Sequence, residues 1–253
     1  MSEDTLTNPR KINNPFGRIF ALFTRPRQFF TSDPGGWRLP MLALSLTLTL
    51  QTAVGGYFRA RAAAMGEISL PPDWQWWSAD MQNNYLQAQQ ATQGPVFVYV
   101  IPLVGALTSL WLGWLLVSGL LHLASTLLGG RGSMSSALGV VAWASLPFAL
   151  RDILRVVFML FAGRAISSPG LSGFVSGGEA GMIFAAQLLG LVDLFVVWYV
   201  VLTAIGFSVK DNLGKGKAAL GVVGVLVLIL LAQAGLGTVW QNLGGMLVSR
   251  PFF

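Results

Sequence analysis

Five long apolar stretches divide this sequence, and each is about as long as a helix that crosses a lipid bilayer. The hydrocarbon core of a bilayer is about 30 Å thick and takes about 20 apolar residues to span as a helix. Four of the stretches reach that length with at most one charged residue, whereas the third contains several. The sequence therefore predicts an all-α, polytopic membrane protein with five transmembrane helices. The predicted spans are approximately residues 39–58, 96–128, 137–161, 182–207 and 218–240.

The composition leaves little room for a soluble domain. Hydrophobic residues make up 54% of the 253 residues and charged residues only 10%, whereas about 25% of the residues of a soluble domain are charged. We therefore expect one membrane domain over residues 39–253, with an external loop over 59–94, preceded by a basic tail over residues 1–38. The chain has no cysteine and a single histidine, His122, so disulfides, thiolate chemistry and multi-histidine metal sites are excluded.

Positive residues in the connecting segments are distributed unevenly between the two sides of the predicted bundle. If all five segments cross the membrane, ten lysines and arginines lie on the side of the N-terminal tail and four on the other. Positive residues accumulate on the cytoplasmic side of membrane proteins. We therefore expect a plasma (inner) membrane protein with a cytoplasmic N-terminus and an external C-terminus. The ten residues are Arg10, Lys11, Arg18, Arg25, Arg27, Arg38, Arg131, Lys210, Lys215 and Lys217.

The tail contains a short amphipathic segment over about residues 14–25. Its apolar side chains recur at helical spacing, and arginines flank them. A helix with this pattern tends to lie at the surface of an anionic leaflet. A helix that packs on the bundle has the same pattern, and that alternative stays open. Pro26 is expected to end the helix, because proline lacks an amide donor. The residues of this anchor are Phe16, Arg18, Ile19, Phe20, Phe23, Arg25 and Arg27.

Small residues in the second span predict close helix packing, and a proline in the third span predicts a bend. Gly105, Ser109 and Gly113 recur at four-residue steps, a spacing that lets two helix backbones approach closely in a membrane. We expect this seam to pack against another helix. Pro147 is expected to bend the third span, because a proline inside a helix removes one of its hydrogen bonds.

Ionisable residues within the predicted spans are candidate functional residues, because charge in a bilayer is costly unless it is paired. The helix rise places Arg151 and Asp193 within about 10 Å of each other in height, which predicts an ion pair between spans three and four. Asp152 and Arg155 stand at i and i+3, where they can pair with each other. These charges fix the register of the helices, line a solvated transport path or, in a third alternative, relay protons through Asp193 and His122. The predicted network comprises Arg151, Asp152, Arg155, Asp193 and His122.

Signatures of enzymes and cofactor sites are missing from the sequence. It contains no glycine-rich phosphate loop of the Walker type, no H-E-x-x-H and no G-x-S-x-G. A Ser/His/Asp triad would need His122, which sits near the opposite face from the acidic residues. The arginines of the tail suit a membrane surface better than a nucleic acid. We therefore expect no catalytic residues, no cofactor, no metal and no nucleic-acid partner.

Two segments carry a family resemblance. Residues 127–150 read LLGGRGSMSSALGVVAWASLPFAL and join a Gly-Gly turn, a Gly-Ser step and a proline-containing helix. Together with NPFGRIFALFTRPRQFF at residues 14–30, they resemble the Yip family, the Ypt/Rab-interacting membrane proteins, in its bacterial branch. Ser133 or Ser135 can cap the third span. The matching positions are Gly129, Gly130, Gly132, Ser133 and Pro147.

The resemblance implies an N-terminal helix followed by five spans, and it brings no catalytic residues. Eukaryotic members are linked to small GTPases and vesicle traffic, and bacterial relatives look like accessory proteins, some of them associated with ABC-type exporters. We therefore expect a non-enzymatic scaffold or regulator of another membrane protein, or a homo-oligomer, in contact with an anionic cytoplasmic leaflet. The alternative is a small transporter or channel that uses the charges of spans three and four. A water-filled cavity at those charges would favour transport, whereas a dry bundle with an exposed seam would favour the scaffold.

Overall fold

A computed structural model of the chain describes residues 15–32, 35–65, 70–71, 73–166, 174 and 180–249. These residues form helices and no strand, so the described part of the chain is all-α, as predicted. A 3-10 turn at Trp74–Trp76 and a π-helical turn at Val96–Val100 accompany the α-helices. The α-helices are α1 (Pro15–Thr24), α2 (Pro26–Thr31), α3 (Arg38–Ala64), α4 (Ala79–Thr92), α5 (Ile101–Leu127), α6 (Met134–Ala144), α7 (Leu146–Ala162), α8 (Ala180–Leu191), α9 (Leu194–Lys210) and α10 (Lys215–Ser249).

Three described helices are long and apolar enough to cross a membrane: α3, α5 together with its π-helical turn, and α10. The pair α8–α9 is a fourth candidate, although the two helices are bent by 61° at the break between them. The chain is therefore a multi-pass membrane protein with three or four candidate spans among its described residues. The count of five stays a prediction, because α6 and α7 have 11 and 17 residues, and each alone is shorter than the roughly 20 residues that a bilayer takes.

The third predicted span is divided at Ser145. Pro147 stands in the first turn of α7, where the amide that proline lacks would have no partner within the helix. The Ser145 hydroxyl donates to the Val141 carbonyl at 2.7 Å, and the Ser145 carbonyl accepts from the Phe148 amide at 2.9 Å. Pro147 therefore acts as the start of a new helix, and the bend lies two residues before it.

The fourth predicted span is also divided, at Val192 and Asp193, which the sequence did not predict. Asp193 has extended backbone angles (φ −144°, ψ 177°), and its carboxylate accepts from the Val196 amide at 2.9 Å. Aspartate is among the strongest N-caps, and an N-cap residue must leave the helical conformation. Asp193, which the sequence presents as a buried charge within one span, therefore also caps the start of a second helix, α9.

The N-terminal helices pack against the bundle. Leu22 and Phe30 are almost fully buried, and the Phe23 ring lies edge-on to Trp198 of α9 at 4.7 Å. Ile19 also packs against the core, whereas Phe20 is 70% exposed. The predicted single apolar stripe is therefore split: two of its members face the bundle and Phe20 faces outward.

Two predicted features of the tail lie outside the described residues. They are the first 14 residues, with Arg10 and Lys11, and the side chain of Phe16. Arg25 and Arg27 are described and are exposed. These two arginines are therefore accessible to a membrane surface, and the anchoring role of the segment stays a prediction.

Helix α3 begins partway along the bundle rather than at its edge. The ring of Trp37, just before α3, lies 5.9 Å from Trp111 and 5.0 Å from Trp114. These two tryptophans are roughly 20 Å from the C-terminal end of α5 by the helix rise. The space below α3 is filled by α2, whose Phe29 ring lies 5.0 Å from Trp143 of α6. We call the end of the bundle where α5 and α9 end the near face, and the end where α3 and α7 end the far face.

Candidate functional site

The first candidate site is an ion-pair cluster between α7 and the start of α9. The Arg151 Nη1 atom lies 3.3 Å from the Asp193 Oδ2 atom, and the Arg151 Nε atom lies 3.7 Å from the Asp152 Oδ1 atom. The side chains of Arg151, Asp193 and Asp152 are 25%, 17% and 6% exposed. One guanidinium therefore bridges two carboxylates from two different helices.

The geometry of the helices explains why Arg151 and Asp193 meet. Arg151 follows the beginning of α6 by roughly 17 residues, and Asp193 precedes the end of α9 by roughly the same number. At about 1.5 Å per residue, both lie about 26 Å from the near face. The two residues therefore stand at the same height on neighbouring antiparallel helices, within reach of an arginine side chain.

Asp152 and Arg155 do not form the ion pair that their spacing predicts. The ion pair of Asp152 among the described residues is with Arg151, because the Nε side of that guanidinium faces Asp152 while its Nη1 side faces Asp193. The ring of Phe148 lies 4.7 Å beneath the Arg151 guanidinium carbon, which adds a cation–π contact. Arg155 lies one turn further along α7 and adds a second positive charge near the two carboxylates.

His122, a member of the predicted network, lies apart from this ion-pair cluster. It precedes the end of α5 by five residues, so it lies only about 8 Å from the near face by the helix rise. Its Nδ1 atom is buried without a hydrogen-bond partner among the described residues. The acidic residue whose charge it influences is Asp211, which follows α9 at the same face.

Asp211 is the centre of a second polar cluster, at the near face. Its side chain is 2% exposed, and the Ser125 hydroxyl of α5 donates to its Oδ2 atom. Its backbone carbonyl accepts from the Arg131 amide at 3.1 Å. These bonds join the connection between α5 and α6 to the connection between α9 and α10. We call Ser125, Gly130, Gly132 and Asp211 the loop cluster.

Asp211 is not among the residues predicted from the sequence. It lies in a connection that contains Lys210, Lys215 and Lys217, which is typical of an exposed positive loop. The available signal is that Asp211 is the single acidic residue in that basic connection. The neighbouring Asn212 has a φ of 53°, a tight turn that returns the chain toward α10.

Two glycines of the predicted family motif make this close contact possible. A Cβ atom at Gly132 would overlap the Asp211 carboxylate. A Cβ atom at Gly130 would lie 2.9 Å from the Ser125 carbonyl oxygen and would overlap its hydroxyl. Only a residue without a side chain leaves space for the carboxylate and its hydrogen bond at these positions.

The other motif positions shape the turn itself. Gly129 has a φ of 93°, a conformation that favours glycine. Ser133 caps α6, because its side chain accepts from the Ser136 amide at 3.2 Å. Of the two serines that could cap this helix, Ser133 is the one that does so.

The pKa of the Asp211 carboxyl predicts how the loop cluster depends on pH. Burial raises this pKa, and the Ser125 hydrogen bond and the charge of His122 lower it to a smaller extent. A raised pKa in the folded state gives stability that is fully present below the unfolded pKa and is lost as the pH rises through the folded value. We therefore expect Asp211→Asn to be more stable than the wild type at pH 8, with the difference shrinking toward pH 4.

The measurement is the thermal unfolding midpoint in detergent between pH 4 and pH 8. Asp80→Asn is the control for the removal of one carboxylate, because Asp80 is exposed on α4. A loss of stability in Asp211→Asn at pH 8 would show that the cluster needs the negative charge.

Two cavities among the described residues lie away from the ion-pair cluster. One of about 10 Å³ lies beside the loop cluster, next to Ser125 and Lys217. The other, of about 260 Å³, lies between α3, α5 and α7 toward the far face. Neither is lined by Arg151 or Asp193. The described residues also contain no group of three or more acidic or histidine side chains that could hold a metal ion.

The apolar helices and the paired charges between two of them define an integral, multi-pass, α-helical membrane protein. A family model described as the Yip1 domain matches residues 20–236, which include both clusters. The chain belongs to this Yip family, as the resemblance of residues 14–30 and 127–150 predicted. The family is one of membrane proteins related to trafficking and is not known for enzymes. No curated protein and no solved structure matches the chain.

Proposed function

We propose that this chain is a non-enzymatic accessory protein of a bacterial plasma (inner) membrane, where it scaffolds or regulates another membrane protein. An ABC-type exporter or a trafficking-like assembly is the class of partner that the family suggests. The N-terminus is cytoplasmic in this proposal, the C-terminus is external, and the arginines of the tail face an anionic leaflet. The observation that carries the proposal is the exposed small-residue face of α5.

The buried residues and the small residues of α5 occupy opposite faces. Trp114, Ser118, Leu121 and Ser125 are the buried residues of this helix, and they follow one another at helical spacing. At 100° per residue, Gly105 and Ser109 lie roughly 180° from that buried face. The core therefore uses one side of α5 and leaves the other side uncovered by the described residues.

The uncovered side has the shape of a helix-packing surface. No described atom comes within 4 Å of a Cβ atom added at Gly105 or Gly113. Leu112 and Leu116 are exposed on the same side, at 61% and 56%. In a bilayer, lipid tails are as apolar as leucine, so small residues favour helix association through close van der Waals packing. These properties support a transmembrane helix of another protein as the occupant of this face.

The absence of cysteine from the sequence makes the partner face testable by crosslinking. We expect Ser109→Cys, the only cysteine in that variant, to crosslink in native membranes to a second membrane protein. Adding Gly105→Leu and Gly113→Leu should reduce the crosslink at least about tenfold, because leucine side chains would fill the groove. Gly224→Leu is the matched control, since no described atom lies within 4 Å of a Cβ atom added at Gly224 of α10 either.

Each other outcome of the crosslinking has a distinct meaning. A crosslink only between two copies of this chain would replace the accessory role by a homo-oligomer. A crosslink that survives both leucine substitutions would show that the face is not the interface. Recovery of a bound solute and no protein partner would contradict the scaffold proposal.

Transport is the second candidate function, and the two helix breaks favour it. The break at Ser145 and the break at Asp193 both flank the Arg151 ion pair. Broken helices at membrane depth form substrate sites in transporters, where the irregular backbone lines a cavity. Solute uptake by proteoliposomes that is lost in Asp193→Asn, with the fold intact, would support this candidate.

A further inference from the structure

The far face holds a cleft between α3 and α7 that neither the ion-pair cluster nor the loop cluster uses. Its volume of about 260 Å³ is roughly twenty times the 10–15 Å³ that one water molecule requires. It is slightly below the about 300–1,000 Å³ of ordinary small-molecule sites. The cleft therefore has the capacity for a headgroup-sized molecule. Its lining residues are Gln51, Thr52, Gly55, Arg59, Pro102, Met159, Ala165 and Ile166.

The polar side chains of this cleft lack partners in the described protein. Thr47 and Thr49, earlier on α3, donate their hydroxyls to backbone carbonyls of the same helix at 3.2 Å and 2.7 Å. Within the described part of the chain, neither Thr52 nor Gln51 nor Arg59 makes a side-chain hydrogen bond or an ion pair. Polar groups within a membrane helix are costly when they are unsatisfied, so these three groups are available to a ligand.

The charge of the lining selects an anion. Among the described residues that line the cleft, Arg59 is the single charged one and none is acidic. A guanidinium binds phosphate oxygens strongly because its donors match their geometry. Thr52 and Gln51 add hydrogen-bond donors on the same helix, about two turns before Arg59.

The position of the cleft along α3 favours a membrane lipid as the ligand. Arg59 lies five residues before the end of α3 at the far face, and Gln51 lies about 12 Å deeper along the helix. The charged side chain is therefore closest to the membrane surface, and the hydrogen-bond donors lie beneath it. Met159, Pro102 and Ile166 supply apolar walls. From the membrane surface inward, the cleft presents a positive charge, then hydrogen-bond donors, then apolar walls. A phospholipid has its phosphate, its ester groups and its acyl chains in the same order.

We propose that this cleft binds one anionic phospholipid of the leaflet at the far face. Its phosphate contacts Arg59, its ester oxygens accept from Thr52 and Gln51, and the upper part of an acyl chain lies against Met159. The ligand enters from the membrane, in contrast to a soluble phosphate compound. This site is separate from the partner face on α5 and does not depend on the proposed function.

Native mass spectrometry of the full chain in detergent tests the site. The probes are phosphatidylglycerol, phosphatidylcholine and glycerol 3-phosphate. We expect one phosphatidylglycerol molecule to bind, with phosphatidylcholine weaker and glycerol 3-phosphate unbound. Arg59→Gln should weaken phosphatidylglycerol binding about tenfold, as the loss of a charge-assisted hydrogen bond does. Thr52→Val, which keeps the charge and the shape, should weaken it about threefold.

Arg61→Gln is the matched control, because Arg61 is exposed on the same helix and does not line the cleft. It should change the affinity less than about twofold, the range expected for a surface residue. Equal losses in Arg59→Gln and Arg61→Gln would overturn the proposal in favour of general surface charge. Binding of glycerol 3-phosphate as tight as that of the lipid would overturn the lipid as the ligand. Equal binding of the two lipids, or none, would overturn the selection for an anion.

Discussion

Replacing Gly132 by alanine is expected to destabilise the folded protein by about 3 kcal/mol, at the upper end of overpacking effects. The added Cβ atom would overlap the carboxylate of Asp211. Movement of this carboxylate is restricted, because Asp211 is buried and its carboxylate accepts a hydrogen bond from the Ser125 hydroxyl. The backbone of Asp211 is also fixed by the Arg131 amide. Relief of the overlap must therefore separate the two connections at the near face.

The measurement is the free energy of unfolding in detergent. Gly214→Ala is the matched control, because Gly214 lies in the facing connection and no described atom would come within 4 Å of its Cβ atom. This control should change the stability by no more than about 0.5 kcal/mol. Combining Gly132→Ala with Asp211→Ala should cost less than the sum of the two single variants, because the methyl group then replaces a carboxylate that is no longer there. Equal effects of Gly132→Ala and Gly214→Ala would contradict the role of the close contact.

Hydrophobic length predicts the long helices of this fold but not their breaks. The π-helical turn and α5 together cover residues 96–127 of the predicted second span, and α10 covers the predicted fifth span. An uninterrupted apolar run has no alternative to helix within a bilayer. Helix α3 continues to Ala64, beyond the predicted end of the first span at Phe58, and exposed arginines lie in this extension. Hydropathy does not predict the break at Asp193, because it scores an aspartate only as a charged residue. The ability of an aspartate side chain to cap a helix does not enter that score.

The ion-pair cluster is predictable from the sequence to a greater extent than the loop cluster. Arg151 and Asp193 are predictable because Arg151 lies on a regular helix and Asp193 caps the start of another, so residue number converts into height. Asp211 is not predictable in this way, because its burial depends on the contact of two connections that are far apart in the sequence. The resemblance to the family identifies Gly130 and Gly132, although the residues against which they pack become visible only in the structure.

Replacing Asp193 by asparagine is expected to destabilise the protein by about 2–3 kcal/mol. Removal of one partner from a fully buried ion pair costs about 3–5 kcal/mol, and the lower figure applies because Arg151 and Asp193 are partly exposed. Asparagine caps helices about as well as aspartate, so the hydrogen bond to the Val196 amide is retained. The loss therefore reports the charge of Asp193 and not the break between α8 and α9.

A double-mutant cycle separates the ion pair from the other roles of its members. Arg151→Met removes the guanidinium and leaves Asp152 and Asp193 without their shared positive charge. The double variant Arg151→Met/Asp193→Asn should be at least about 1 kcal/mol more stable than the sum of the single variants predicts, because the charges that repel or remain unpaired are then fewer. Asp193→Ala should cost about 1 kcal/mol more than Asp193→Asn, since it also removes the cap.

The cycle also distinguishes a structural from a transport role for this cluster. A strong coupling energy in unfolding, with crosslinking at the α5 face unchanged, would mean that the pair fixes the register of α7 against α9 and contributes nothing else. A negligible coupling energy would mean that the attraction between Arg151 and Asp193 does not offset the cost of burying their charges. Charges of that kind persist in a membrane where they serve a ligand or a path, so that result would move the function of the protein from the surface of α5 to the breaks beside Arg151.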